Sequence, residues 1–201
     1  MNRRRRLLLA LPPFLAGCSV LPAPRSDPVT LHVLLADGPH DVAPRGAGVI
    51  EVGTPRAAAG FDTPQMAYVA RRYEVDYFAT HRWVDTPPRM LAPLLVRALE
   101  RTQAFAAVVT PSSGVTGDFR LDTELLRLQQ DFVTRPSRAE VVLRAQLTDV
   151  RARRVVATRR FEDAEPAGTD DAAGGVAAAN AALQRVLVRL VAFCIEAASR
   201  P

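Results

Sequence analysis

Apolar and polar side chains alternate through residues 139–147. Ala139, Val141, Leu143, Ala145 and Leu147 share one parity, with Glu140, Arg144 and Gln146 between them. A period of two belongs to a strand with one face buried and one in water, the habit of antiparallel sheets. Residues 119–132 begin with Phe119, Leu121, Thr123 and Leu125 on one parity and end with Leu126, Leu128 and Phe132 on the other. A β-bulge near Leu125 and Leu126 would move the apolar side across in this way. Residues 153–161 read as a third strand, reached through a turn at 149–152. Upstream, Met66, Tyr68 and Ala70, then Tyr73, Val75, Tyr77 and Ala79, alternate on either side of Arg71-Arg72, which predicts a hairpin. Short apolar runs at 29–35, 46–52 and 105–109 complete the strands.

Two stretches change to a helical period. After Trp83, Asp85 or Thr86 serves as N-cap and Pro87-Pro88 as the first turn, with Leu91, Leu94, Leu95, Ala98 and Leu99 on one stripe. A helix over 88–103 follows, delayed or bent by Pro93. Residues 163–175, rich in Gly, Asp and Ala, read as loop. Residues 176–198 then carry Leu183, Val186, Leu187, Leu190, Val191, Cys194 and Ile195 on one face of a final helix. The predicted fold class is α+β: a two-layer sandwich, mainly antiparallel sheet with two helices packed on one face.

The N-terminus follows a different logic. Arg3 to Arg6 precede an apolar run with Pro12 and Pro13, and Leu15-Ala16-Gly17-Cys18 follows. A charged segment, a short apolar segment and a small-residue cleavage site make an export signal. The run is well short of the ~20 residues that span a bilayer. The tetrapeptide looks like a bacterial lipobox, so residues 1–17 are expected to be a lipoprotein signal peptide and Cys18 the acylated first residue of the mature chain. Residues 18–28, with Pro22, Pro24 and Pro28, read as a tether, and 29–201 as a single periplasmic domain. At ~3.1 Å per residue, the twelve steps from Cys18 to Thr30 reach at most about 37 Å. By resemblance to Gram-negative lipoproteins, Ser19 is the default residue for transfer to the outer membrane.

Composition narrows the chemistry. All 26 cations are Arg and none is Lys, which excludes a P-loop ATPase and Schiff-base enzymes. Removing the signal takes away four Arg and lowers the formal charge from +5 to +1, which gives no reason to expect nucleic acid. With Cys18 acylated, Cys194 has no disulfide partner and is expected to be a buried small hydrophobe. His32, His40 and His81 are far apart in sequence and lack metal-site spacing, so no metal or other cofactor is expected. Ser112-Ser113-Gly114 reads as a turn, not a nucleophile motif, and no catalytic residue is expected.

The residues left for binding are Arg71 and Arg72 at the hairpin tip and His81, Arg82 and Trp83 where strand meets helix. Aromatic and Arg side chains are favoured at interfaces. The simpler reading of Trp83 is that it seals the sheet against the helix. Arg89, Arg97 and Arg101 extend a basic face along the first helix, and the acidic stretch 165–171 is expected to be disordered.

The run "MAYVARRYEVDYFATHRWVDTPPRMLAPLLVRALE" combines a hairpin, a Trp, a Pro-marked start and a Leu-rich helix. With "FRLDTELLRLQQDF", "AEVVLRAQLTDV", "VVATRRFE" and an Ala-rich last helix, it resembles the ABC-type transport auxiliary lipoprotein family over about residues 29–198. These are outer-membrane lipoproteins of the paraquat-inducible protein C type. The resemblance implies a non-enzymatic component, anchored through Cys18 and facing the periplasm, that docks the MCE-domain protein of a lipid transporter whose permease and ATPase are separate subunits. A homo-oligomeric ring around a lipid conduit fits the same picture. The alternative is a structural or assembly lipoprotein that binds an outer-membrane β-barrel. A third reading, a lipid-anchored hydrolase, would depend on Ser113 or His81.

Overall fold

The computed structural model describes residues 27–39, 46 and 48–199. Cys18, Ser19, His40 and Asp41 lie outside the described residues, as do the signal and most of the tether. Among the described residues the strands are β1 (Thr30–His32), β2 (Val49–Val52), β3 (Arg56–Ala57), β4 (Gln65–Arg71), β5 (Glu74–Trp83), β6 (Ala107–Val109), β7 (Phe119–Asp131), β8 (Arg138–Asp149) and β9 (Arg154–Pro166). The helices are α1 (Pro87–Thr102) and α2 (Ala172–Ala198), with a single 3-10 turn at Pro111–Ser113.

All nine strands join one mixed sheet. The path β1-β5-β4-β7-β2-β6 is continued on the other side of β7 by β8 and β9, while β3 pairs with the middle of β7. The fold class is α+β, but the expectation of a mainly antiparallel sheet is corrected. Five of the eight strand pairings are parallel: β1 with β5, β2 with β6, and β7 with β2, β3 and β4. The reason lies in the long middle strand. β7 is 13 residues long and serves β2, β3 and β4 in turn along one edge, so short segments distant in sequence dock on it in its own direction. Alternation within a segment reports a buried face and carries no information on the direction of its neighbour.

Where ladders form between consecutive segments, the periodicity is a faithful guide. β7, β8 and β9 make an antiparallel meander whose two ladders each carry one register shift. Between Leu125 and Arg127 of β7 the register shifts, so Leu121 and Leu125 turn inward before it and Leu128 after it. This is the bulge expected from the change of parity. β4 and β5 form the expected hairpin, with two register shifts of their own.

Both helices bury into one apolar cluster and touch one another. From α1 it receives Leu91, Leu94, Leu95 and Leu99, and from α2 Leu183, Leu187, Leu190 and Phe193. Each such buried side chain contributes ~1.5–3 kcal/mol of transfer free energy. The length and apolar composition of α2 would suit a membrane span, yet 14 of its 27 residues are buried in the protein. Cys194 is among them, and burial pushes its thiol up to about 12, an inert small hydrophobe as expected.

The final helix begins at Ala172, four residues before the expected start, and the stretch read as loop is mostly ordered. Gly174-Gly175 looks like a breaker in sequence, but here it allows close approach. A Cβ on Gly175 would stand 2.1 Å from Gln130 Oε1, and one on Gly174 would stand 2.2 Å from the Thr169 carbonyl. Asp171 is the N-cap, its carboxylate accepting from the Gly174 N–H at 2.8 Å. That bond, and then the Thr169 hydroxyl, hold its pKa below the ordinary value of 3.8. Asp170 accepts from the Ser137 N–H at 2.8 Å and pairs with Arg135. The expected disorder of 165–171 is therefore corrected: Glu165 and Pro166 are the last residues of β9, Asp171 caps α2, and Asp170 ties the approach to the helix to the β7–β8 connection.

Candidate interaction site at the hairpin

Arg71 and Arg72 sit at one end of the β4–β5 hairpin and His81, Arg82 and Trp83 at the other. β5 is ten residues long, so at ~3.3 Å per residue about 30 Å separates the two groups. They form two sites, not one.

At the tip, Arg71 pairs with Glu74 at 2.6 Å, whereas Arg72 makes no ion pair among the described residues. Between them and the return strand stands Tyr73, with φ of +71° and its side chain 100% exposed. A non-glycine residue in the left-handed region is uncommon and costs free energy, and full exposure recovers nothing through burial. Beside the tip a cleft of about 550 Å3 runs over the uncovered face of the sheet. Phe61, Val75, Leu126 and Val133 give it an apolar floor, while Arg72, Arg127, Asp131 and Glu140 stand among its other lining groups. An apolar floor beneath alternating charges suits a protein segment.

At the other end, strand alternation sends neighbours to opposite faces. Trp83 is 4% exposed and belongs to the core cluster, so it seals the sheet and presents no surface. Arg82 is exposed on the uncovered face, and His81 turns toward the helical side. His81 Nδ1 shares a hydrogen bond with His32 Nε2 at 3.0 Å. Phe78 and Tyr68 continue this line of rings, joined by Phe132. Burial, and then the neighbouring His81, hold the pKa of His32 below its ordinary 6.5. The separation of the histidines in sequence hid this pair. Parallel pairing of β1 with β5, with Thr30 opposite His81 and His32 opposite Trp83, brings together residues 49 apart. No local period or spacing could have signalled it.

The basic face of α1 is largely neutralised. Arg89 pairs with Asp85 at 3.3 Å and Arg101 with Asp37 at 3.0 Å, while Arg97 makes no ion pair among the described residues. Ser113 donates to the Thr110 carbonyl at 2.8 Å in an exposed 3-10 turn. Among the described residues no three His, Cys, Asp or Glu side chains are grouped to hold a metal ion.

The fold is shared with solved structures. A Xanthomonas campestris protein described as a DUF330 family member is 27% identical to this chain, covering 84% of it and 96% of its own length, with a TM-score of 0.76. An uncharacterized protein is 11% identical, covering 86% and 100% of the two chains, with a TM-score of 0.65. A hypothetical protein of Chlamydia trachomatis is 9% identical, covering 77% and 99%, with a TM-score of 0.54. No curated protein matches the chain. A family model matches residues 32–191, from the last residue of β1 to Val191 within α2. The chain belongs to the family described as the ABC-type transport auxiliary lipoprotein component.

Proposed function

We propose that this protein is the outer-membrane auxiliary subunit of an ABC-type lipid transporter, anchored through acylated Cys18 and docking the periplasmic MCE component. The observation that carries the reading is the family match across residues 32–191. The lipobox ending in Cys18, followed by Ser19, supports attachment to the outer membrane on its periplasmic side. Two acyl chains suffice for stable attachment at ~0.8 kcal/mol per buried methylene. An absence of Lys agrees with a subunit that leaves nucleotide hydrolysis to a separate ATPase.

The docking surface in this reading is the hairpin tip. Arg72 and Tyr73 project from it beside a cleft with an apolar floor, and exposed Arg and Tyr side chains are the types that dominate binding energies when a partner covers them. Arg71 is held by Glu74 and orients the turn.

Cross-linked pull-down of the full-length protein from membranes tests the proposal. Recovery of an MCE protein with its permease and ATPase is expected. The yield should fall with Arg72→Glu or Tyr73→Ala, and membrane retention should be lost with Cys18→Ala. Recovery of a β-barrel alone would overturn the reading in favour of an assembly lipoprotein.

A further inference from the structure

Of the eleven large hydrophobic side chains exposed among the described residues, five lie together: Val29, Leu31, Val33, Leu35 and Val84, each between 41% and 61% exposed. The first four occupy alternate positions of one extended chain. The intervening Leu34 and Ala36 are buried and His32 reaches His81, so the alternation has one face held by the protein and one facing outward. β1 is the terminal strand of its path in the sheet, and Leu31 pairs in register with Arg82. In-register partners point to the same side, as does Val84 two residues on from Arg82. Leu31, Arg82 and Val84 therefore stand on the uncovered face at the edge of the sheet. Beyond β1 the exposed parity runs on through Val33 to Leu35, which lies beside Arg97 of α1 and Gln184 of α2. An aliphatic ridge with the exposed guanidinium of Arg82 thus follows the edge of the molecule. No acidic side chain occurs from residue 28 to residue 36.

The far end of the ridge is fastened to α2. Leu35 N–H donates to Asn180 Oδ1 at 2.9 Å, and the Asp37 and Gly38 N–H groups donate to Gln184 Oε1 at 2.8 and 3.0 Å. Gln184 Nε2 returns a bond to the Gly38 carbonyl at 2.7 Å. Two polar side chains of α2 thus fix residues 35–38 in place, and the aliphatic side chains stay outside although the protein's own core is adjacent.

We infer that this ridge is a second membrane contact, laid against the bilayer that carries the anchor. The position of the ridge in the chain selects lipid as its occupant. Eleven steps separate Cys18 from Val29, about 34 Å at ~3.1 Å per residue, so an aliphatic segment lies within that reach of the anchor. Amphipathic elements at an interface bury their apolar side ~5–10 Å into the headgroup and acyl boundary, a depth that side chains of this length reach. Arg82 meets lipid phosphate at the same level. An acyl anchor at Cys18 does not by itself set the orientation of the folded body. A ridge beside the tether fixes its orientation and turns the sheet, with its hairpin tip, in a defined direction.

This inference rests on acylation of Cys18, and the experiment separates the two. The full-length protein carrying Leu31→Cys, Leu35→Cys, Tyr73→Cys or Val155→Cys is purified after export, and its intact mass reports acylation. Each single cysteine is labelled with an environment-sensitive fluorophore, Cys194 being buried with its thiol raised. The proteins are reconstituted into phosphatidylethanolamine and phosphatidylglycerol vesicles with a lipid-borne quencher. The expected result is quenching several-fold stronger at positions 31 and 35 than at Tyr73 on the hairpin tip or Val155 on β9 at the opposite side of the sheet. Reversing the charge with Arg82→Glu should reduce it. Equal, weak quenching at all four positions in an acylated protein overturns the inference. So does a blue-shifted Leu31 probe insensitive to the quencher, which would mean that protein covers the ridge. An unacylated mass overturns the anchor instead.

Discussion

The meander and the hairpin edge are parts of the same sheet, yet they treat their exposed groups in opposite ways. On the uncovered face of the meander, Arg138 pairs with Asp131 at 3.2 Å and Glu140 at 2.8 Å, and Arg127 also reaches Glu140 at 3.3 Å. Arg120 reaches Glu51 at 3.0 Å and Asp122 at 3.1 Å. At its flank, Arg185 and Arg189 of α2 both bind Asp163. At the hairpin edge the β4–β5 ladder shifts register twice, against once in each ladder of the meander, β1 pairs over only three residues, and aliphatic and aromatic side chains stay in water. Charges that answer one another hold the meander together and wall one side of the cleft beside the tip. The hairpin edge leaves Arg72, Tyr73 and an aliphatic ridge uncovered, so in the proposed reading the meander is scaffold and the hairpin edge, with that cleft, is the surface that meets other molecules.

The comparison breaks most readily in stability measurements. Leu187→Ala, beneath the meander and fully buried, should cost ~2–5 kcal/mol in urea unfolding, whereas Val75→Ala in the hairpin should stay within ~0.5 kcal/mol. Equal losses would make the hairpin part of the cooperative core and remove the distinction. Gly174→Ala comes next. Helix propensity alone would favour Ala by up to ~1 kcal/mol, but the new Cβ meets the Thr169 carbonyl at 2.2 Å. A net loss of ~1–3 kcal/mol is expected, and a net gain would show that α2 is not seated as tightly as described.

Tyr73→Gly sharpens the contrast from the other side. Glycine occupies the left-handed region without steric cost, so the variant should gain up to ~1 kcal/mol in the same unfolding assay. Its capture of a transporter partner should decline. Stability gained while binding is lost is the signature of a residue kept for function. Retained capture in a stabilised variant would remove the tip from the docking surface.

The legibility of the molecule follows the same division. The meander, its bulge and both helices could be read because their determinants are local: parity along β7 and β8, the Pro-marked start of α1, the apolar stripe of α2. The parallel pairings could not, since β1, β2, β3 and β4 each find a neighbour across a long stretch of chain. For the same reason the His32–His81 bond was invisible. The two-residue β3 fell below any periodic signal, and Gly174-Gly175 was misread because a glycine that admits a close neighbour looks like one that breaks a helix. Of the site residues, Arg71 and Arg72 could be placed at a turn from the flanking alternation. The aliphatic ridge was read as a strand without its outward face, because a run of Val and Leu does not reveal which parity the core will take.

The smallest expected effect concerns the histidine clip that holds the edge strand. His32 is held below its ordinary 6.5 in the folded protein by burial and by His81. Above 6.5 it is neutral whether β1 is attached or free, and the clip contributes fully. As pH falls below 6.5 the detached strand takes up a proton before the attached one does, so the balance moves toward detachment until the lowered folded value is passed. The positive charge on His32 then lies against His81 at 3.0 Å. Hydrogen exchange at residues 30–35 should therefore accelerate as pH drops below 6.5, after correction for intrinsic rates, while amides of β7 and β8 keep their protection. His32→Phe keeps a ring against His81 but loses the hydrogen bond and the titration, so it should loosen the strand slightly at neutral pH and abolish the acid response. If His32→Phe leaves the acid response intact, the titrating group is elsewhere. If the meander amides open in step, the edge and the scaffold are one cooperative unit, and the contrast between them ends there.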